Sequence, residues 1–181
     1  MDNIRFFLKK NIVLKRIKLI KLSIKHLNDI HEYSQNNIFF KYLEYNSFKN
    51  KAKTRNYLNK RIKENNFKNT FWWSIMLNGK IIGTVRLHNV NTFRKTCEIG
   101  YGINPDFWGK GFFKEIINGL MKICIMKNRF HRCQVITAKN NIASIMGLIK
   151  CGFKKEGVLV NYYFDKDNKK NFDAVILSKT I

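Results

Sequence analysis

Residues 98–113 read "EIGYGINPDFWGKGFF". This run holds Gly100, Gly102, Gly109 and Gly111, four of the chain's ten glycines, and its one proline, Pro105. No glycine precedes Gly79. The first half reads as a strand, in which side chains alternate between faces. Glu98, Gly100 and Gly102 then share one face, and Cys97, Ile99, Tyr101 and Ile103 the other. Two glycines on one face leave bare backbone with a carboxylate at its end. Glycine weakens a strand, so its use here points to close approach by a ligand or another backbone. Pro105 ends the ladder and "DFWGKG" leads into a helix. A helix start presents unpaired N–H groups and partial positive charge, and glycines there let a phosphate reach the backbone. Lys110 and Lys114 add charge. The pattern reads as a pyrophosphate site, although a G-x-G alone also serves as a plain structural turn. It is not the dinucleotide fingerprint, because Lys114 stands where the third glycine would be, and no P-loop G-K-[ST] occurs.

Upstream, "FWWSIML" and "KIIGTVRLHNV" are β-rich runs joined by Asn78-Gly79, a pair suited to a type I′ hairpin turn. Trp72 and Trp73 alternate, so one faces the core and the other can line a cleft. Before the hairpin, "NIVLKRI" reads as a first strand. Ser23 caps a helix carrying Ile24, Leu27, Ile30 and Tyr33 at helical spacing. Ser47 caps a second helix, from about Phe48 to Asn65, with Tyr57, Leu58 and Ile62 inward. Downstream, Phe112 to Asn128 is a helix with an apolar stripe, and "HRCQVITA" is a buried strand. Asn141 to Cys151 is a helix stopped by Gly152. The runs "EGVLVNYYF" and "FDAVILSKT" close the chain as a hairpin around "DKDNKK". This order gives an α/β (α+β) fold with a mixed, mostly antiparallel, twisted sheet of about seven strands and about four helices, expected to form a single domain over residues 1–181.

Composition narrows the function. A hydrophobic fraction of 45% with 14% aromatics supplies a core. No apolar run approaches the ~20 residues of a membrane span, and no signal peptide is visible. Cys97, Cys124, Cys133 and Cys151 form no C-x-x-C pair and sit among apolar neighbours, which suits reduced core thiols in a cytoplasmic protein without a metal site. The formal charge of +23 would attract nucleic acid, the ribosome or polyphosphate ligands. The lysines are spread along the chain together with abundant Asn, Ile and Phe, so compositional bias explains them better than a nucleic-acid patch.

A second segment supplies context. "NIAS" at Asn141–Ser144 opens a helix, and "GFKKEG" at Gly152–Gly157 follows it. With "EIGYGI" and "WGKG" before them, these motifs resemble the GNAT superfamily of N-acetyltransferases, and within it the ribosomal-protein-alanine acetyltransferase branch (the RimJ/RimL type). The likeness covers nearly the whole chain and is specific from Phe71 onward. It implies transfer from acetyl-CoA, as co-substrate, to a primary amine by direct attack on the thioester, with no metal. It implies that Ile99, Gly100, Tyr101, Gly102 and Ile103 hold the pantetheine arm through the backbone. The amides of Trp108, Gly109, Lys110, Gly111, Phe112 and Phe113 would hold the pyrophosphate. Asn141 would contact the carrier, and Ser144 would lie near its sulfur.

Acetyl transfer to an amine requires the amine to lose a proton and the departing thiolate to gain one. Glu98 is the candidate base, with a salt-bridged glutamate at a strand start as its plain alternative. The superfamily's frequent acid, a tyrosine on the last major helix, corresponds here to Leu148, which cannot act. Ser144 matches the serine that takes that role in the RimL-like branch. The expected acceptor is a protein N-terminal α-amine, with possible ribosome association and a monomer or homodimer. The alternatives are a small amine (polyamine, aminoglycoside or amino sugar) or a non-catalytic RNA-binding module on the same fold.

Overall fold

The structure is a computed structural model that describes residues 10–65, 69–125, 130–165 and 169–180. Its strands are β1 (Ile12–Val13), β2 (Lys18–Lys21), β3 (Phe71–Leu77), β4 (Lys80–Asn91), β5 (Thr96–Ile103), β6 (Arg132–Ala138), β7 (Lys154–Asp165) and β8 (Lys170–Thr180). Its α-helices are α1 (Leu27–Ser34), α2 (Asn37–Phe40), α3 (Lys51–Glu64), α4 (Phe112–Ile125) and α5 (Ile142–Lys150). The eight strands form one sheet in the order β1-β2-β3-β4-β5-β6-β8-β7. Among the described residues only the β5–β6 pair is parallel.

The eighth strand comes from "NIVLKRI", which is not one strand. The chain turns between Leu14 and Ile17, where the Leu14 amide donates to the Ile17 carbonyl at 2.9 Å. Two short strands, β1 and β2, flank this turn. Ser47 does not cap the long helix. That helix begins at Lys51, capped by the Asn50 side chain, which accepts from the Lys53 amide, while the Ser47 hydroxyl bonds Asn37. Ser23 caps the 3-10 turn Ile24–His26 that leads into α1, and Ile24 itself is exposed. The Asn78-Gly79 turn has the expected positive φ at both residues, 48° and 84°. Residues 126–128 of the expected Phe112–Asn128 helix, and 166–168 of the closing turn, lie outside the described residues.

The sheet has a core on each face. One holds Trp73, Ile75, Val85, Leu87, Cys97 and Ile99 against Ile116, Leu120 and Leu148 of α4 and α5. The other holds Trp72 and Ile81 against Leu27, Ile30, Tyr33 and Leu58 of α1 and α3. Trp73 is thus the core tryptophan at 1% exposure, and Trp72 lies on the opposite face. All four cysteines are buried and none forms a disulfide, and the sulfurs of Cys97, Cys124 and Cys133 lie within 4.8 Å of one another. Among the described residues no helix is long and apolar enough to cross a membrane.

The consequential feature lies at the centre. β5 and β6 pair only over Thr96–Glu98 and Arg132–Gln134. From Ile99 onward β5 keeps its antiparallel partner β4 but has no ladder to β6. Beyond Gln134, β6 pairs only with β8. The sheet therefore splits, and the free edge of β5 borders the gap.

Candidate active site

The gap opens into a cavity of about 900 Å³. One wall is the β5 backbone from Ile99 to Ile103, with the loop at Trp108, Gly109 and Gly111 and the first residues of α4. Asn141, Ala143 and Ser144 at the start of α5 border the same side. The opposite side is built by Trp72, Thr84, Arg86 and residues of α2 and α3, with Tyr163 from β7.

The loop before α4 is fixed largely by side chains, but the Trp108 amide is not free as expected: it donates to the Pro105 carbonyl at 3.0 Å and closes the 3-10 turn. The Asn104 side chain accepts from the Asp106 amide and starts the 3-10 turn Pro105–Phe107. The Trp108 indole N–H donates to the Ile103 carbonyl at 2.7 Å, tying the loop to the last residue of β5. Gly109 and Gly111 have φ of +71° and +80°, a region that side chains disfavour, and a Cβ at Gly109 would meet nothing within 4 Å. The first backbone bond of α4 runs from the Glu115 amide to the Gly111 carbonyl. The amides of Phe112, Phe113 and Lys114 therefore have no intrahelical acceptor. An open loop with free N–H groups fits a diphosphate. The Lys110 ammonium donates to the Asp106 carbonyl at 2.8 Å, so in this structure it braces the loop.

Arg16, from the turn between β1 and β2, was not singled out by the sequence. Its backbone N–H and Nε donate to the two Glu115 oxygens at 2.7 and 2.8 Å. Its Nη1 donates to the Lys110 carbonyl at 3.0 Å, and its guanidinium lies 4.3 Å from the Phe112 ring centroid. Burial pushes the Glu115 carboxyl up, but the Arg16 hydrogen bonds and charge outweigh it and leave that carboxyl below its ordinary value. The loop is thus clamped from outside while its inner face stays open.

At the middle of the cavity the Tyr101 and Ser144 hydroxyls meet at 2.5 Å. Ser144 is placed by α5, whose first turn is closed by the Asn141 side chain accepting from the Ser144 amide at 3.2 Å. The Asn141 carboxamide oxygen is therefore already engaged in capping, although Asn141 borders the cavity. Burial raises the Tyr101 phenol above its usual range, against the opposing pull of the Ser144 bond, so Tyr101 stays protonated. Leu148 is fully buried in the core, one turn beyond Ser144.

Glu98 is 8% exposed and sits at the apex where β5 and β6 part. Its Oε2 accepts from the Asn89 and Gln134 amides, each at 3.3 Å, and its Oε1 lies 3.2 Å from His88 Nε2. Burial, aided by the Arg86 charge, lowers His88 to about 4, so the imidazole is neutral near pH 7. The His88–Glu98 contact is then a hydrogen bond from a neutral ring, not an ion pair. The Glu98 carboxylate is not among the groups that border the cavity.

The sequence also missed Arg86, Arg61 and Glu44, which all border the cavity. Arg86 lies opposite Trp72 on one side and Gly100 on the other.

Residues 16–154 match the family model "Acetyltransferase (GNAT) domain", and the chain belongs to that family. Among curated proteins it is 34% identical over 99 residues to an uncharacterized N-acetyltransferase, YoaA, of Bacillus subtilis (strain 168), covering 55% of each chain. It is 30% identical over 84 residues to the spermidine N(1)-acetyltransferase of Vibrio cholerae, covering 46% of this chain and 49% of that one. These matches span about half the length of the curated relatives. Among solved structures, the Microcin C7 self immunity acetyltransferase MccE, in complex with acetyl-CoA and AMP, superposes with a TM-score of 0.84 at 26% identity. That alignment covers 92% of this chain and 93% of the other.

Proposed function

We propose that the protein transfers the acetyl group of acetyl-CoA to a primary amine, and that the acceptor is a protein N-terminal α-amine. The observation that carries this reading is the split of β5 from β6 after Glu98, beside a helix start with free amides. The exposed edge of β5 from Ile99 to Ile103 takes the pantetheine arm as an added strand. The amides from Gly109 to Phe113 take the diphosphate, the Trp108 amide being engaged by the Pro105 carbonyl, and the acetyl end then lies between the Tyr101–Ser144 pair and the Trp72 side of the cavity. Bound acetyl-CoA supplies the activated acyl carbon.

The residues divide the proton work. Glu98 draws the proton of the ammonium form through water, since its carboxylate does not border the cavity. The amine nitrogen bonds the acyl carbon and the carbon–sulfur bond breaks. Ser144 gives its proton to the thiolate and regains one from Tyr101, 2.5 Å away; the second proton, shed by the nitrogen as the amide forms, passes through water to restore the Tyr101 phenol. The products are the N-acetylated acceptor and the free thiol. Main-chain N–H groups at the open edge near Gly100–Gly102 stabilise the oxyanion.

The charges of the cleft support a protein or other non-polyamine acceptor. Lys41 and Arg86 border the cavity against Glu44, with the Glu64-paired Arg61 beside them, a balance that repels a polycation. A polyamine is the substrate in the name of one relative, so the two readings separate by experiment. Incubating a panel of N-terminal peptides, polyamines, aminoglycosides and amino sugars with isotope-labelled acetyl-CoA, read by mass spectrometry, is expected to label a peptide α-amine. Label confined to polyamines would overturn the acceptor assignment, and no label on any amine would overturn the transferase reading. The +23 chain charge supports contact with the ribosome or an acidic protein in the cytoplasm.

A further inference from the structure

The acceptor side of the cavity has a built cationic floor. Trp72, Arg86 and Gly100 stand opposite one another across β3, β4 and β5. They share the face turned to α1 and α3. The Arg86 side chain lies down over Gly100, where an added Cβ would come within 2.7 Å of its Nε. Its Cζ is 5.1 Å from the Trp72 ring centroid. The guanidinium is therefore held between an aromatic ring and a bare strand, and it borders the cavity. Among the described residues Arg86 has no carboxylate within ion-pair distance.

The contrast with Arg61 is informative. Arg61 also lies over Trp72, at 5.5 Å, and over Tyr57, at 4.8 Å. Its Nη1 is paired with Glu64, whose other oxygen accepts the Trp72 indole N–H at 3.0 Å. Arg61 is thus locally neutralised and holds Trp72 in place, yet its Nε is buried without a hydrogen-bond partner. A part-buried guanidinium without a counter-ion, beside a second one with an unused donor, is a costly arrangement unless a ligand completes it. His88, next to Arg86 on β4, adds no negative charge, and Glu98 is already held by three donors.

Resting on the acetyl-transfer reading above, we propose that the acceptor amine carries an anionic group, a carboxylate or a phosphate, bound by Arg86 on the Trp72 side of the cavity. Arg86 faces Gly100 across one strand spacing, about 5 Å, from the edge assigned to the pantetheine arm. The anion must therefore lie only a few bonds from the amine. An acidic first residue of a polypeptide satisfies this, and so does a small amine bearing a phosphate. Guanidinium also recognises both anions by paired N–H bonds. A cation held near the amine further favours its neutral, nucleophilic form.

The test uses matched acceptors. One pair is a short peptide amide beginning with Asp and the same peptide beginning with Asn. The other is phosphoethanolamine and ethanolamine. With the intact protein and acetyl-CoA, the acidic member of at least one pair is expected to show a kcat/KM about ten- to a hundredfold higher than its neutral partner. Which pair responds identifies the source of the anion. The ratio is expected to collapse toward one in Arg86→Gln and to survive in part in Arg86→Lys. Calorimetric binding of acetyl-CoA, measured on the same preparations, separates the two ideas. If acetyl-CoA binds and neutral members are acetylated as well as acidic ones, or no member is acetylated, the anion proposal fails alone. If acetyl-CoA does not bind, the transferase reading fails and this proposal falls with it.

Discussion

Replacing Ser144 with Ala removes one hydroxyl from the pair at the centre of the cavity, and the structure says what that loss does. The start of α5 should survive, because Asn141 caps it through the Ser144 backbone amide and not through the hydroxyl. The Tyr101 phenol, bonded to Ser144 at 2.5 Å, loses its partner in a part-buried site. An orphaned hydroxyl of this kind costs about 1–3 kcal/mol. For a chain of this length that lowers the melting temperature by roughly 2–12 °C. If Ser144 protonates the leaving thiolate, kcat falls by about 10²–10⁴, or about 3–5 kcal/mol of barrier. KM for acetyl-CoA changes little, since the diphosphate contacts are untouched. Tyr101→Phe removes the same bond from the other side. Residues that act as one unit are non-additive, so the double variant should be no slower than the slower single variant. Steady-state kinetics with thermal melts on all four proteins measure this. A Ser144→Ala enzyme within about threefold of the parent kcat would refute the acid role, and additive losses would refute the coupling to Tyr101.

Gly111→Val places a β-branched residue at φ +80° facing Arg16, with strain of about 1–2 kcal/mol. Acetyl-CoA affinity should fall on the order of tenfold, read by calorimetry, and an unchanged affinity would argue against the loop amides as the diphosphate site. His88 titrates at about 4 in the folded chain against 6.5 unfolded, so the unfolded state takes up the proton first and stability drops as pH falls from about 6.5 to 4. His88→Gln should flatten the decline of melting temperature across that window, and parallel curves for the two proteins would contradict the burial argument.

What could be read in the sequence follows the reach of local signals. Asn78-Gly79 announced its hairpin because φ > 0 at two adjacent residues is a local demand. The faces of β5 followed from simple alternation, which put Glu98, Gly100 and Gly102 together. The partners of that face did not follow. The turn pairs Leu77 with Lys80 and Met76 with Ile81, and continuing that register would set Arg86 opposite Phe71, on the far face. An irregularity between Ile75 and Met76 shifts the ladder by one residue and sets Arg86 opposite Trp72. A one-residue slip exchanges faces, so this position of Arg86 was invisible to alternation. The turn at Leu14–Ile17 was missed for a related reason. It has no Gly, Pro or Asn, and Arg16 within it is anchored to Glu115, 99 residues away. Asn50 in place of Ser47 as the cap of α3 is a competition between equally good capping residues, which tertiary context decides.

The central claim is that free amides around Lys110 and the open edge of β5 together hold a thioester carrier. Titrating acetyl-CoA into the folded protein in a calorimeter tests it most directly. The account expects saturable one-to-one binding with a matching rise in melting temperature. Neither heat nor thermal shift on folded material would contradict it.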